Sequence, residues 1–279
     1  DIIHTGGKTM KNVAGIDLCR MYIGSWGTLG IITEAVLRLF PTPEVSTGLY
    51  ITFSDPEDAF RMISQLLNSP LTPSAIELVD SVAGYNVAKT VGSNLNDGEV
   101  LLIVNSEGTK GDVARHRKDI ASLAEANKAK TTVTLEGEKA SRAWAAYCGV
   151  HEAMLSANPA TFQGKASVPI SKLGDMLQQV KKISASHGVK TGVTAHCGSG
   201  ILYTYLTDGV EKLVNVTGVL KKAAAGLGGF FLMESAPLSF RKEMAVLPPR
   251  SDYRLMRRLR TEFDPRNILN RGRLVGGLH

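Results

Sequence analysis

Two stretches of this chain share one rhythm, and that rhythm limits the fold more than any other feature. In the first, residues 49–53 read as an apolar strand, Asp55 and Pro56 open a helix, and residues 74–78 return as a strand. Aspartate as N-cap and proline at the first helical position mark a helix start, because the ring fixes φ and its missing N–H has no intrahelical partner to lose. Ala59, Phe60, Ile63, Leu66 and Leu67 then recur with the 3.6-residue period of a helix that buries one face. In the second stretch, residues 165–170 read as a strand, Ser171 as the cap of a helix carrying Leu173, Met176, Leu177, Val180 and Ile183, and residues 189–195 as a strand. Paired strand–helix–strand units predict an α+β fold with an antiparallel sheet, helices and ferredoxin-like units.

The remaining pattern extends this reading. A buried strand is expected at 100–105, helices at 112–128 and 137–155, a strand at 201–206, and a short apolar strand at 230–233. Asp208 and Glu211 form a capping-box-like pair ahead of a helix ending near Gly226. A final helix is expected at 251–263. Before all of these, residues 31–39 alternate as a strand, with Glu34 and Arg38 on one face and Ala35, Leu37 and Leu39 on the other. Pro41 and Pro43 stop it and read as a hinge.

Composition excludes several classes. Of 279 residues 43% are hydrophobic and 21% charged, which suits a globular chain and neither a disordered tail nor a coiled coil. No apolar run reaches the roughly 18 residues of a spanning helix. The net charge of +6 raises the possibility of nucleic-acid binding. The one dense basic cluster, Arg254, Arg257, Arg258 and Arg260, reads instead as a solvated helix face or as attraction for small anions, so no nucleic-acid partner is expected. Cys19, Cys148 and Cys197 are odd in number and lack metal-ligand spacing, which fits free thiols in a reducing compartment. The first residue is Asp1 rather than Met, so the chain is expected to start inside a longer gene product.

The segment richest in possible chemistry is IGSWGTLGIIT, residues 23–33. Gly24, Gly27 and Gly30 alternate with Ser25 and Thr28. Glycine lets a backbone approach a ligand closely, successive N–H groups can make an anion-binding concavity, and the hydroxyls add donors. The order differs from the dinucleotide fingerprint, where a strand precedes the loop and a helix follows it. On these grounds alone a tight structural loop and a ligand cradle are equally good readings.

Together with its surroundings this segment resembles a known family. KNVAGIDLCRMYIGSWGTLGIITEAVLRLFPTP is similar to the second half of the FAD-binding domain in FAD-linked oxidases of the vanillyl-alcohol-oxidase superfamily. The branch it resembles most contains glycolate oxidase subunits and D-lactate dehydrogenases. The family pattern there is roughly N-x-A/T-G-Y-D-L followed by I/V-G-S-E-G-T-L-G-I/V-I-T, met here with Ile16 for Tyr and Trp26 for Glu. The tail FDPRNILNRGRL resembles the family's closing motif, with Arg271 in place of its proline. The resemblance implies FAD as cofactor. It places Asn12, Val13, Ala14, Gly15, Gly24, Ser25, Gly27, Thr28, Gly30 and Ile31 along it, with Asn270 returning nearby. It implies the back half of the FAD-binding domain at 1–43, a substrate cap at 44–240 and a C-terminal helix and tail at 241–279. The first half of that FAD domain is missing from such an arrangement, so weak or absent FAD is expected in this chain.

Departures from the family matter equally. Members that oxidise 2-hydroxy acids often carry H-x-G-D-G-N-x-H in the cap and a later E-H pair, which supply a divalent-metal site and a base. Here the first stretch reads His196, Cys197, Gly198, Ser199, Gly200, Ile201, Leu202, Tyr203, and the pair reads Glu234, Ser235. One imidazole and one carboxylate do not make a three-ligand protein site, and a lone serine is a poor proton acceptor at neutral pH, so no metal is expected. His196 and Glu234 stand as the catalytic candidates, with a structural histidine as the competing reading. Trp144, Lys165 and Tyr203 stand as substrate candidates, against core packing for Trp144 and a solvated strand-edge role for Lys165. The loss fits the smaller FAD-binding subunit of bacterial glycolate oxidase. The resemblance then implies hydride transfer from a small 2-hydroxy acid to flavin, partner subunits of an oxidase complex, and a cytoplasmic protein, peripheral to the inner membrane where partners dock it. The alternative is a non-catalytic, flavoprotein-like subunit that assembles with a catalytic partner.

Overall fold

The structure, a computed structural model, describes residues 2–9, 15–207, 210–237 and 251–272, without the side chains of Val210 and Glu211. The chain divides into two compact units, Thr42–Met244 and Asp1–Pro41 together with Ala245–His279. The Asp208–Glu211 pair expected as a cap lies outside the described residues.

The larger unit is built on one antiparallel sheet. Its elements are β1 (Val45–Phe53), α2 (Pro56–Leu67), β2 (Ala75–Asp80), α3 (Tyr85–Thr90), β3 (Val100–Gly108), α4 (Lys110–Ala126) and β4 (Thr131–Glu136). They continue with α5 (Gly137–Cys148), α6 (Val150–Ala157), β5 (Phe162–Ser167), α7 (Leu173–His187), β6 (Thr191–His196), β7 (Ile201–Leu206), α8 (Val210–Gly226) and β8 (Phe230–Ser235). The strand order is β4-β1-β3-β2-β6-β7-β5-β8. The first four strands run 4-1-3-2 and the last four run 2-3-1-4 in their own numbering. Two complete ferredoxin-like βαββαβ units therefore lie edge to edge, joined where β2 pairs antiparallel with β6. The strand–helix–strand stretches of the sequence are the opening half of each unit.

The two faces of this sheet are covered differently. One face carries α2, α4, α7 and α8 along its whole width, over a core that includes Leu49, Leu102, Met62, Ile120, Leu177, Leu202, Leu206, Leu213 and Leu220. Each fully buried side chain of this kind contributes roughly 1.5–3 kcal/mol. On the other face α3, α5 and α6 lie over the first unit and reach Tyr205 of β7 in the second. There Tyr50, Val79, Leu101 and Ile103 meet Val87, Ala143, Tyr147 and Val150.

Local chemistry explains the elements. Asp55 caps α2 by accepting from the Glu57 N–H at 2.8 Å, and Thr109 caps α4 by accepting from the Asp112 N–H at 3.2 Å. Gly188 ends α7 at φ +61°, where a left-handed residue is needed. Several expectations are corrected. The strand expected at 165–170 lies at Phe162–Ser167, and Lys172 rather than Ser171 is the N-cap of α7, because a 3₁₀ turn at Ile170–Lys172 intervenes. The helix expected at 137–155 breaks at Gly149 into α5 and α6. The Thr-rich β4 and the six-residue α3 were not expected.

The smaller unit holds α1 (Leu18–Tyr22) and α9 (Tyr253–Phe263). Its largest departure from expectation is residues 31–39, which are not a strand. Ile31, Ile32, Val36, Leu37, Leu39 and Phe40 are all exposed. A strand is held by a neighbour's hydrogen bonds and a covered face, and among the described residues no strand pairs with this segment. Among the described residues no helix is long and apolar enough to cross a membrane.

Candidate functional site

The second sheet face also carries a polar row. Its starting point is the junction of the two units, where Glu77 of β2 is registered opposite His196 of β6. His196 Nδ1 lies 2.6 Å from Glu77 Oε2. Tyr147, reaching from α5, donates its hydroxyl to the same carboxylate oxygen at 2.6 Å and lies 3.3 Å from His196 Nδ1. Because a carboxylate only accepts, this contact fixes the proton on Nδ1 and leaves Nε2 as the ring nitrogen with accepting capacity. The hydrogen bond to Glu77 raises the His196 pKa above the usual imidazole value, against the opposing effect of burial. Burial, then the neighbouring Glu77 charge, raises the Tyr147 phenol far above its ordinary range, so it stays a donor.

From His196 the row crosses to β7 and β5. The Tyr203 ring meets the imidazole edge-on, with centroids 5.6 Å apart. Lys165 is registered opposite Tyr203, and its ammonium lies 5.6 Å from the ring centroid. That ammonium also pairs with Glu234 of β8 at 3.4 Å. Lys165, Tyr203, His196 and Glu234 are thus brought together, each at least partly exposed. Trp144 stands behind them, tilted against Tyr147 with centroids 5.3 Å apart, and is packed on the second core. Cys197, next to His196, is fully buried and its thiol is pushed up by that burial, so it is no nucleophile.

Sequence reasoning missed Glu77 and Tyr147. Glu77 carried a signal, since it is the one charge inside the apolar run Ala75–Val79 of a strand. Tyr147 carried none, because a tyrosine on a helix beside a tryptophan reads as packing.

In the smaller unit the glycine loop is a chain of tight turns. The Ser25 N–H donates to the Tyr22 carbonyl at 3.1 Å and the Thr28 N–H to the Ser25 carbonyl at 3.0 Å. Gly24, Trp26 and Gly27 all have positive φ, +81°, +58° and +68°. A Cβ on Gly15 or Gly24 would meet nothing within 4 Å, so ligand atoms can reach the backbone there. Thr28 is fully buried and its hydroxyl donates to the Ser25 carbonyl at 2.6 Å. Gly30 packs on the Tyr22 ring, which meets Phe263 edge-on at 5.8 Å. Ile31 is exposed. The tail turn is fastened by Asp264, which accepts from the N–H groups of Ile268 at 3.0 Å and Leu269 at 2.7 Å. Asn270 emerges from this turn and its amide donates to the Trp26 carbonyl. Asn12, Val13 and Ala14 lie outside the described residues. The basic cluster on α9 is smaller than the sequence suggested: Arg254, Arg257 and Arg258 are exposed, whereas Arg260 is buried and donates to Asn267 at 2.6 Å.

Comparison with known proteins places this arrangement. The family model "FAD linked oxidases, C-terminal domain" matches residues 42–231 and 240–274. Glycolate oxidase subunit GlcD of Bacillus subtilis is 28% identical over 98% of this chain and 60% of its own length. A D-lactate dehydrogenase of Archaeoglobus fulgidus is 27% identical over 98% of this chain and 61% of its own length. The chain therefore spans about three-fifths of these relatives. Among solved structures, alkyldihydroxyacetonephosphate synthase shares the fold with a TM-score of 0.61 at 19% identity, over 94% of this chain and 50% of that one. p-Cresol methylhydroxylase follows at 0.59 and 13% identity, over 84% and 53%. With the family model matched over well more than half of its residues, this chain belongs to the FAD linked oxidases that carry this C-terminal domain.

Proposed function

We propose that this chain is the cap and the back of the cofactor domain of a FAD-dependent oxidoreductase acting on a small 2-hydroxy acid. The observation that carries the reading is the polar row on the sheet, where an imidazole held by a carboxylate is separated from an ammonium by one intervening strand. A 2-hydroxy acid presents a hydroxyl and a carboxylate on adjacent carbons. His196 Nε2 would accept the hydroxyl proton, with Glu77 and Tyr147 holding the ring. Lys165 would receive the substrate carboxylate, leaving Glu234 to do so, and Tyr203 would form the wall between them. Trp144 would support Tyr147 rather than touch substrate.

The glycine loop fits the cofactor in its open backbone and positive-φ turns. Gly15, Gly24, Ser25, Gly27, Thr28, Gly30, Ile31 and Asn270 would hold FAD, with Asn12, Val13 and Ala14 alongside. When bound, FAD would supply the acceptor for the hydride leaving the substrate's α-carbon. The names of the relatives support this substrate class, and the name of GlcD supports partner subunits in an oxidase complex. A cytoplasmic location, with any membrane association made through those partners, agrees with this reading.

The test is reduction of flavin by glycolate and D-lactate in the FAD-loaded full-length gene product. Loss of flavin absorbance on mixing, slowed about a hundredfold or more in Lys165→Ala and His196→Ala, is expected. A flavin that neither acid reduces removes the reading. A second reading, a non-catalytic subunit, is favoured by Ser235 standing where the family places a histidine. Turnover by the protein without any partner would exclude it.

A further inference from the structure

The hydroxy-acid-oxidising relatives named by the family resemblance use a divalent cation held by two histidines and a glutamate. The residues standing here do not fit that ion. His196 offers one ligand nitrogen, Nε2, because its Nδ1 is held by Glu77 at 2.6 Å, so further ligands must come from other residues. The second histidine position is Tyr203, whose ring lies under an ammonium. The one carboxylate on β8 in this row, Glu234, already has that ammonium at 3.4 Å. Among the described residues no group of three or more His, Cys, Asp or Glu is placed to hold a metal.

We propose that Lys165 takes the place of the divalent cation, so that the site works through a fixed ammonium and excludes metal ions. This rests on the reading of the polar row as the substrate site. The argument is electrostatic and geometric. A cation arriving between Glu234 and His196 would meet the Lys165 charge within a few ångströms on a half-desolvated surface, where like charges repel strongly. The carboxylate that would neutralise the ion is already neutralised. Tyr203 can coordinate only as a phenolate, and the neighbouring ammonium holds it as a face for cation–π contact instead. Lys165 sits in mid-strand, registered to Tyr203 and to Leu232, so its stem is fixed by two neighbouring strands. A substrate carboxylate would then exchange with Glu234 for one ammonium rather than join a coordination sphere.

The experiment reads metal binding directly and needs neither flavin nor turnover. Zn²⁺ and Mn²⁺ are titrated calorimetrically into the whole chain, its single Glu234→Gln variant, the double variant Lys165→Met/Tyr203→His, and the triple variant that adds Glu234→Gln to the double. Circular dichroism establishes that each variant is folded. Wild type is expected to bind Zn²⁺ no more tightly than its Glu234→Gln variant. The double variant, freed of the ammonium and given a second imidazole, is expected to bind at least about a hundredfold more tightly. The triple variant is expected to lose that gain. Zinc bound by wild type and lost in Glu234→Gln would overturn the proposal. So would a folded double variant with no gain, because the ammonium would then not be what keeps the metal out. Lys165→Gln, which preserves stem length, repeats the test if the methionine variant is unstable. Failure of the substrate reading would show separately, as glycolate or D-lactate leaving the flavin oxidised while these metal results hold.

Discussion

The two halves of the eight-stranded sheet share one topology and differ on one face. In each half two helices press the same side, and the residues there are interchangeable in kind: Leu102 of β3 and Leu202 of β7 are equally buried in one continuous core. On the other side the first half is roofed by α3, α5 and α6, and its strands present Tyr50, Leu101 and Ile103. In the second half this cover reaches Tyr205, and the strands also present Lys165, Tyr203, His196 and Glu234, each at least partly exposed. The roofing segments follow β2 and β4 in sequence, so the asymmetry is written in the connections between strands rather than in the strands. The repeated fold thereby sets a closed apolar face beside a partly exposed polar row.

The comparison breaks most decisively if matched truncations behave alike. Ile103→Ala under the roof is expected to cost about 3 kcal/mol, read by urea unfolding. Tyr203→Ala, on the open half, is expected to cost under about 1 kcal/mol while weakening 2-hydroxy acid binding about tenfold or more. Equal stability losses would mean that the open half is a core in its own right.

A smaller effect tests the edge of the roof. Asp80 ends β2 and turns the chain into α3, accepting from the N–H groups of Val82 at 3.2 Å and Ala83 at 2.9 Å. Burial pushes its carboxyl up to about 6 despite those bonds. The folded state therefore holds a proton that the unfolded chain has already released, and stability falls as pH rises from about 4 to about 6. Asp80→Asn keeps the acceptor and removes the titration. It is expected to raise stability at pH 7.5 by on the order of 2 kcal/mol and to flatten the profile of melting temperature between pH 4 and 6. An unchanged profile would assign that slope elsewhere.

Smaller again is Tyr147→Phe, which takes one donor from the Glu77 carboxylate, where roof and open face meet. A loss of about 1 kcal/mol is expected. Least in stability is Glu77→Gln, whose readout is the His196 imidazole in a proton NMR titration. The raised His196 pKa contributes stability fully below the unfolded imidazole value and loses it as pH rises through the folded one. Replacing the carboxylate is expected to move the His196 midpoint down, and an unmoved midpoint would show that Glu77 does not hold the ring electrostatically.

Much of this architecture was legible in the residues. The 201–206 strand was read with its observed bounds because Ile201, Tyr203 and Tyr205 alternate with Leu202, Thr204 and Leu206 in β-branched and aromatic company. The helices α2 and α7 were legible because their apolar stripes are long. By contrast β4 is a Thr-rich edge strand with most of its residues exposed, so burial left little imprint on it. The segment 31–39 shows the opposite failure, an alternating pattern that forms no strand among the described residues, since alternation records a face to be buried and supplies no partner. At the site, Lys165, Tyr203, His196 and Glu234 were singled out from their types and places in motifs, but their assembly into one row was not.

The sequence by itself determined the repeated strand–helix–strand units, the tight turns of the glycine loop and the family, because periodicity, capping and glycine placement act over a few residues. Only the tertiary structure decided that Glu77 meets His196 across 119 residues, that Tyr147 closes on both, and that Lys165 pairs with Glu234. Those contacts depend on which strand edge pairs with which and in what register, and that choice is made by the packing of the whole sheet.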